Sequence, residues 1–238
     1  MRNFHQHLDN KNKIVACKSP KPSKVCSLIN SAYIPARYYE AKLTELKANK
    51  NTSTFYKALK RWLNEYDNRN NTLKGLLISG DVGIGKTYIL ASLAKEIAFL
   101  GFSVKFVDFF QLISEIKACY SDHQSEQILL NPLLTVDVLI IDELGKGRNT
   151  DYEKTILDQL IMGRYNQNKT IVASTNYIIN QQEKRQEEPS SSFELNSSEH
   201  LEQRVGSRIY SRLREMNYFV KITGEDLRRK EDITWLAT

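Results

Sequence analysis

Gly80, Gly85, Lys86 and Thr87 stand at the spacing G-x-x-x-x-G-K-[ST], inside the stretch Gly80-Asp81-Val82-Gly83-Ile84-Gly85-Lys86-Thr87. The stretch follows the apolar run Leu76-Leu77-Ile78 and leads into a helix-forming segment that opens with Lys86-Thr87-Tyr88. Glycines at these places let successive backbone N–H groups turn inward around phosphate oxygens, an approach that bulkier residues obstruct. The lysine reaches the β- and γ-phosphates, and the threonine hydroxyl ligates Mg²⁺. A helix starting here aims the positive end of its dipole at the same anion. Gly80 through Tyr88 are therefore expected to bind ATP with Mg²⁺, and Thr87 to be a metal ligand.

A pair of carboxylates can serve the same anion. Val138-Leu139-Ile140-Ile141-Asp142-Glu143 is an apolar run ending on two acids. In phosphoryl transfer a carboxylate at a strand end holds the Mg²⁺ shell, while a neighbouring group orients or deprotonates the attacking water. Asp142 suits the first role and Glu143 the second. Ala173-Ser174-Thr175-Asn176 closes another apolar run. Asn176 there can hydrogen-bond the water or the γ-phosphate, and it equally suits the plain capping of a turn. Arg208 and Arg212 are four apart and share one helix face. Guanidinium groups neutralise transition-state charge, in cis or from a neighbour, and a solvated helix face fits the pair as well.

These groups need a frame that brings strand ends together. Phe55, Leu59, Trp62, Leu63 and Tyr66 recur at helical spacing and predict a core-facing helix over 54–67. Beyond it the pattern predicts strands at 73–79, 103–107, 136–141, 170–174 and 218–223. Helices are expected at 86–100, 109–120, 125–130, 152–166 and 201–215, with Asn131-Pro132 ending the third of these. Strands alternating with helices imply a three-layer α/β sandwich around a parallel sheet, with its ligand at the carboxyl edge.

The chain of 238 residues suffices for one or two domains with a sizeable core. Residues 1–50 read as an N-terminal arm, partly disordered, because 11–24 is rich in Lys, Ser and Pro; 51–238 read as the ATPase domain. Within that domain 180–199 (NQQEKRQEEPSSSFELNSSE) reads as a flexible surface insertion. The net charge of +6 and pI of about 9.1 suit an anionic partner. Cys17, Cys26 and Cys119 are too few and scattered for a disulfide framework, which suits a reducing cytoplasm. His5, His7, Cys17 and Cys26 match no common zinc spacing. No apolar run is long enough to span a membrane or to serve as a signal peptide.

Taken together, GDVGIGKT, VDVLIIDELG, IVASTNY, RVGSRIYSRL and ITGEDLRR resemble the AAA+ ATPases of the DnaC-type bacterial helicase loaders, whose core the IstB-type transposition helpers share. Ile34-Pro35-Ala36-Arg37-Tyr38 resembles the linker leading into that core, so the likeness runs from about residue 33 onward. It implies an AAA+ (ASCE-type) P-loop NTPase with little or no C-terminal lid domain. It implies a cytoplasmic ATPase that oligomerises with ATP, engages single-stranded DNA and loads a replicative helicase; recruitment of a transposase is the alternative. Asn176 would be the sensor-1 residue, Arg212 the arginine finger acting in trans with Arg208 its companion, and Arg228 the sensor-2 arginine. The likeness places DNA contacts after the acidic pair, where Lys146, Arg148, Thr150 and Tyr152 suit backbone neutralisation and base stacking. The arm departs from the family, having no zinc-knuckle cysteines and no long helical bundle.

Overall fold

The computed structural model describes residues 6–8, 14–16, 21–48, 50–68, 74–121, 125–179, 199–224, 226 and 227. After a short antiparallel pair, β1 (Gln6–Leu8) and β2 (Ile14–Ala16), come five strands: β3 (Gly75–Ser79), β4 (Val104–Asp108), β5 (Val138–Asp142), β6 (Thr170–Thr175) and β7 (Asn217–Lys221). They form one parallel sheet in the order β4-β5-β6-β3-β7. The helices are α1 (Pro22–Ser31), α2 (Lys50–Asn68), α3 (Lys86–Phe99), α4 (Phe109–Ser121), α5 (Gln127–Thr135), α6 (Asp151–Asn166), α7 (Leu201–Val205) and α8 (Ser207–Met216).

Strands β3, β5 and β6 are buried at every position, as their near-continuous Leu, Ile and Val runs require of a sheet covered on both faces. Alternate residues supply the two sides. Leu76, Ile78, Ile140 and Val172 join one apolar cluster with α2 and α3. Leu77, Leu139, Ile141 and Ala173 join the other with α4, α5, α6 and α8. Each fully buried Leu or Ile in these layers contributes roughly 1.5–3 kcal/mol. The register pairs Ser79 with Thr175 and Asp108 with Asp142, so these strands finish level at one edge.

Several elements differ from the sequence expectation. Part of the expected arm is folded onto the sheet: α1 starts with Pro22 at its first turn, where a missing N–H costs nothing, and Ala32, Ala41 and Leu43 are core residues. Phe106 N–H donates to Ala32 O at 2.7 Å, which covers the edge strand β4. Helix α5 runs through Pro132 instead of stopping there, because Leu130 and Leu133 are buried on either side of it. The single helix expected at 201–215 is broken at Gly206, whose φ of 86° and ψ of 152° continue no helix. The expected insertion falls outside the described residues except for Glu199, where the chain returns beside its point of departure: Ile178 N–H donates to Glu199 O.

At the amino edge a fully buried arginine ties three elements. The Arg164 guanidinium donates to the carbonyls of Leu133, Val136, Asp137 and Thr170 at 2.6–3.1 Å. Nearby, Asp137 accepts from Ser103 N–H and Oγ at 2.9 and 2.7 Å and pairs with Lys169 at 3.3 Å. Helix α8 passes into β7 without a connecting residue, and the Asn217 side chain at that junction donates to Ile171 O at 2.7 Å.

Candidate functional site

The loop leaving β3 has the backbone that its glycines permit. Gly83 and Gly85 adopt φ of 89° and 90°, and Gly85 caps α3 in the left-handed region. A side chain at Gly80 would collide with Ile222 O and Ile84, and one at Gly83 with the Asp226 carboxylate. The Lys86 ammonium is buried and donates to Gly80 O and Asp81 O at 2.7 and 2.6 Å, so it closes the loop on itself. Asp81 and Val82 are exposed at the tip of the loop.

Asp142 ends β5 level with this loop and is 5% exposed. Burial pushes its carboxyl above the usual range, opposed by hydroxyl hydrogen bonds from Ser174 and Thr87. Thr87, at the start of α3, and Asp142 are the two residues expected to hold a cation. Hydroxyl and carboxylate oxygens are the hard donors that suit Mg²⁺, whose remaining positions are filled by water and phosphate oxygen. Among the described residues no group of three or more His, Cys, Asp or Glu is placed to hold a metal ion.

Glu143 sits at φ 55°, a strained turn for a residue with a side chain. Its N–H donates to Ser174 Oγ at 3.1 Å, and Leu144 N–H donates to Ser174 O at 2.7 Å. Ser174 therefore fixes both acids, a part the sequence reading did not give it. The Glu143 carboxylate is paired with Lys146, and that hydrogen bond raises the lysine pKa. Asn176 follows β6 directly and is half-buried at the same edge.

A family model described as the IstB-like ATP binding protein matches residues 61–232, which include the loop, both acids and α8. The chain belongs to that family. The IstB-like chain is 31% identical over 103 residues to the "Replicative helicase loader DnaC" of Escherichia coli (strain K12), covering 43% of this chain and 41% of that one. A Buchnera aphidicola protein of the same description is 32% identical over 107 residues, or 44% and 42% of the two chains. The chain thus spans less than half the length of the curated relatives it matches. A solved structure of "the DnaC helicase loader" superposes with a TM-score of 0.60 at 25% identity, covering 79% of this chain and 99% of that one. The fold is that of AAA+ P-loop domains.

The remaining candidates in this IstB-like chain divide by environment. Arg212 lies over the Tyr165 ring at 4.6 Å and pairs with Glu215 at 3.4 Å, with 38% of its side chain exposed. Arg208, one turn earlier, pairs with Asp158 at 3.7 Å. Arg228 lies outside the described residues, though Leu227 N–H donates to Gly83 O at 3.1 Å, which brings the chain before it onto the loop. The Tyr88 hydroxyl is engaged elsewhere, accepting from Lys42 N–H at 3.0 Å and bonded to Glu45.

The four expected DNA contacts do not act alike. Lys146 and Arg148 are exposed. Thr150 caps α6, its hydroxyl accepting from Glu153 N–H. Tyr152 is half-buried against the apolar cluster on that face, with Lys117 5.6 Å from its ring centre. Part of its ring packs on that cluster because α6 covers the sheet. No described helix is long and apolar enough to cross a membrane.

Proposed function

We propose that this chain is an ATP-hydrolysing loader of a replicative helicase, active as an ATP-bridged oligomer on single-stranded DNA. The observation that carries the ATP half is the loop closed by the buried Lys86 ammonium, with the buried Asp142 carboxylate ending its strand at the same edge. Similarity to the DnaC relatives carries the helicase half. In this reading the Lys86 ammonium leaves Gly80 O and Asp81 O for the β- and γ-phosphate oxygens, and Thr87 and Asp142 hold Mg²⁺. Mg²⁺, when bound, would supply neutralisation of charge on the phosphates. Glu143 takes a proton from the attacking water after it parts from Lys146, and Asn176 orients that water. Arg212 reaches a neighbouring protomer's γ-phosphate, with Arg208 beside it and Arg228 completing the site from the C-terminal segment. Lys146 and Arg148 neutralise DNA phosphates.

Two measurements test this. Hydrolysis per protomer should rise with protein concentration, and Arg212→Ala should bind ATP normally yet lose that rise. Immobilised chain should retain the replicative helicase with ATP. Concentration-independent hydrolysis overturns the shared site, and failure to retain the helicase overturns the loader assignment.

A further inference from the structure

Arg204 opens the stretch RVGSRIYSRL without a role assigned to it there, yet it is among the most heavily engaged side chains near the site. It lies in the last turn of α7, and 13% of its side chain is exposed. Its Nε donates to Gly145 O at 3.1 Å and its Nη2 to Gly147 O at 2.5 Å. The guanidinium also lies 5.2 Å from the Tyr177 ring centre and pairs with Glu199 at 3.6 Å. Gly145 and Gly147 belong to the loop that begins at Glu143. Gly145 has φ 85°, and a side chain there would press on Leu201, Arg204 and Tyr177. From the opposite side, the buried Glu153 carboxylate accepts Asn149 N–H at 2.9 Å and Arg148 N–H at 3.4 Å. The loop from Glu143 to Thr150 is therefore held between two charged side chains with fixed directions. Two residues past Arg204, Gly206 starts α8, which carries Arg208 and Arg212.

We infer that Arg204 is a positioning residue that fixes the Glu143 loop against the arginine-bearing helix. It touches no reacting atom. Its two carbonyl contacts set the path of the chain after Glu143, and its place in the backbone joins that path to α8. Movement of α8 against a neighbour's nucleotide is thereby transmitted to the carboxylate that activates water in this protomer's own site. This rests on the hydrolysis reading above, in which Glu143 is the base.

The test uses the full chain with Arg204→Ala and Arg204→Lys, read by fluorescent-ATP titration, steady-state hydrolysis and amide hydrogen exchange. Arg204→Ala should keep nucleotide affinity within about threefold and lower turnover about 10–100-fold, the range for misplacing a group that transfers a proton. In a Glu143→Gln background it should lower the residual rate no further, since it acts through that carboxylate. Arg204→Lys retains the charge and one donor and should fall between wild type and alanine. Wild-type turnover in Arg204→Ala, or an equal loss in the Glu143→Gln background, overturns the proposal. Exchange needs no activity: amides of Leu144 to Asn149 should exchange about tenfold faster in Arg204→Ala, and unchanged rates overturn the clamp itself. A wild-type chain that does not hydrolyse ATP, but whose loop loosens in this way, removes the hydrolysis reading and leaves the clamp standing.

Discussion

Both edges of the sheet carry buried polar groups and use them differently. At the amino edge Arg164 donates to four backbone carbonyls within 3.1 Å, and Asp137 is met by Ser103 and Lys169. Those partners are mostly main chain, which cannot leave. At the carboxyl edge Lys86 donates to carbonyls of its own loop, Asp142 takes two hydroxyls, and Glu143 is paired with an exposed lysine. In the proposed reading the Lys86 ammonium and the Glu143 carboxylate, being side chains that can swing away, trade these partners for phosphate and water. Satisfaction by fixed groups produces stability, while satisfaction by exchangeable groups produces a site.

Breaking each edge should have opposite consequences. At the carboxyl edge, Glu143→Gln should leave ATP binding intact and lower turnover by about 10²–10⁴-fold, because the water loses its base. Single-turnover hydrolysis beside equilibrium binding checks this, and unimpaired turnover would remove Glu143 from the role. At the amino edge, Arg164→Ala should cost about 3–5 kcal/mol by leaving buried carbonyls unpaired, measured as a lower urea midpoint. Burial pulls the Arg164 pKa down to about 10, still above neutrality, so that loss should be the same from pH 6 to 8.

A subtler contrast concerns Asp142. Its pKa is raised by burial, so the folded chain binds this proton more tightly than the unfolded one. Without nucleotide, Asp142 therefore opposes folding at neutral pH, and that opposition fades as pH falls through the raised pKa. Asp142→Asn should slightly stabilise the nucleotide-free chain at neutral pH and flatten its acid-side stability profile, while abolishing the Mg²⁺ dependence of ATP binding. Thermal melts between pH 4 and 7.5, with and without Mg-ATP, read both effects. A variant less stable than wild type at pH 7 would mean that Ser174 and Thr87 fully compensate the buried charge.

The sequence made the carboxyl edge readable because that edge depends on local rules. Gly83 and Gly85 are glycines because of their positive φ, and Ile140-Ile141 is continuously apolar because both faces of the sheet are covered. The same rules failed where a distant contact decides the outcome. Pro132 argues for a helix end until Leu130 and Leu133 are seen buried on either side of it. Arg164 lies in no motif, and Arg204 and Ser174 drew no role from theirs, since each is engaged with main-chain atoms 6 to 59 positions away.

The direct passage from α8 into β7 also constrains how the chain can vary in length. Strand side chains alternate faces, so one residue added between Met216 and Asn217 would turn Phe219 away from Tyr210, whose ring centre lies 5.7 Å from its own, and swing the Asn217 amide off Ile171 O. Homologous chains should therefore show gaps freely beside residues 180–198 and none at this junction. Grafting a foreign α8 onto this sheet should demand a donor that matches it residue for residue.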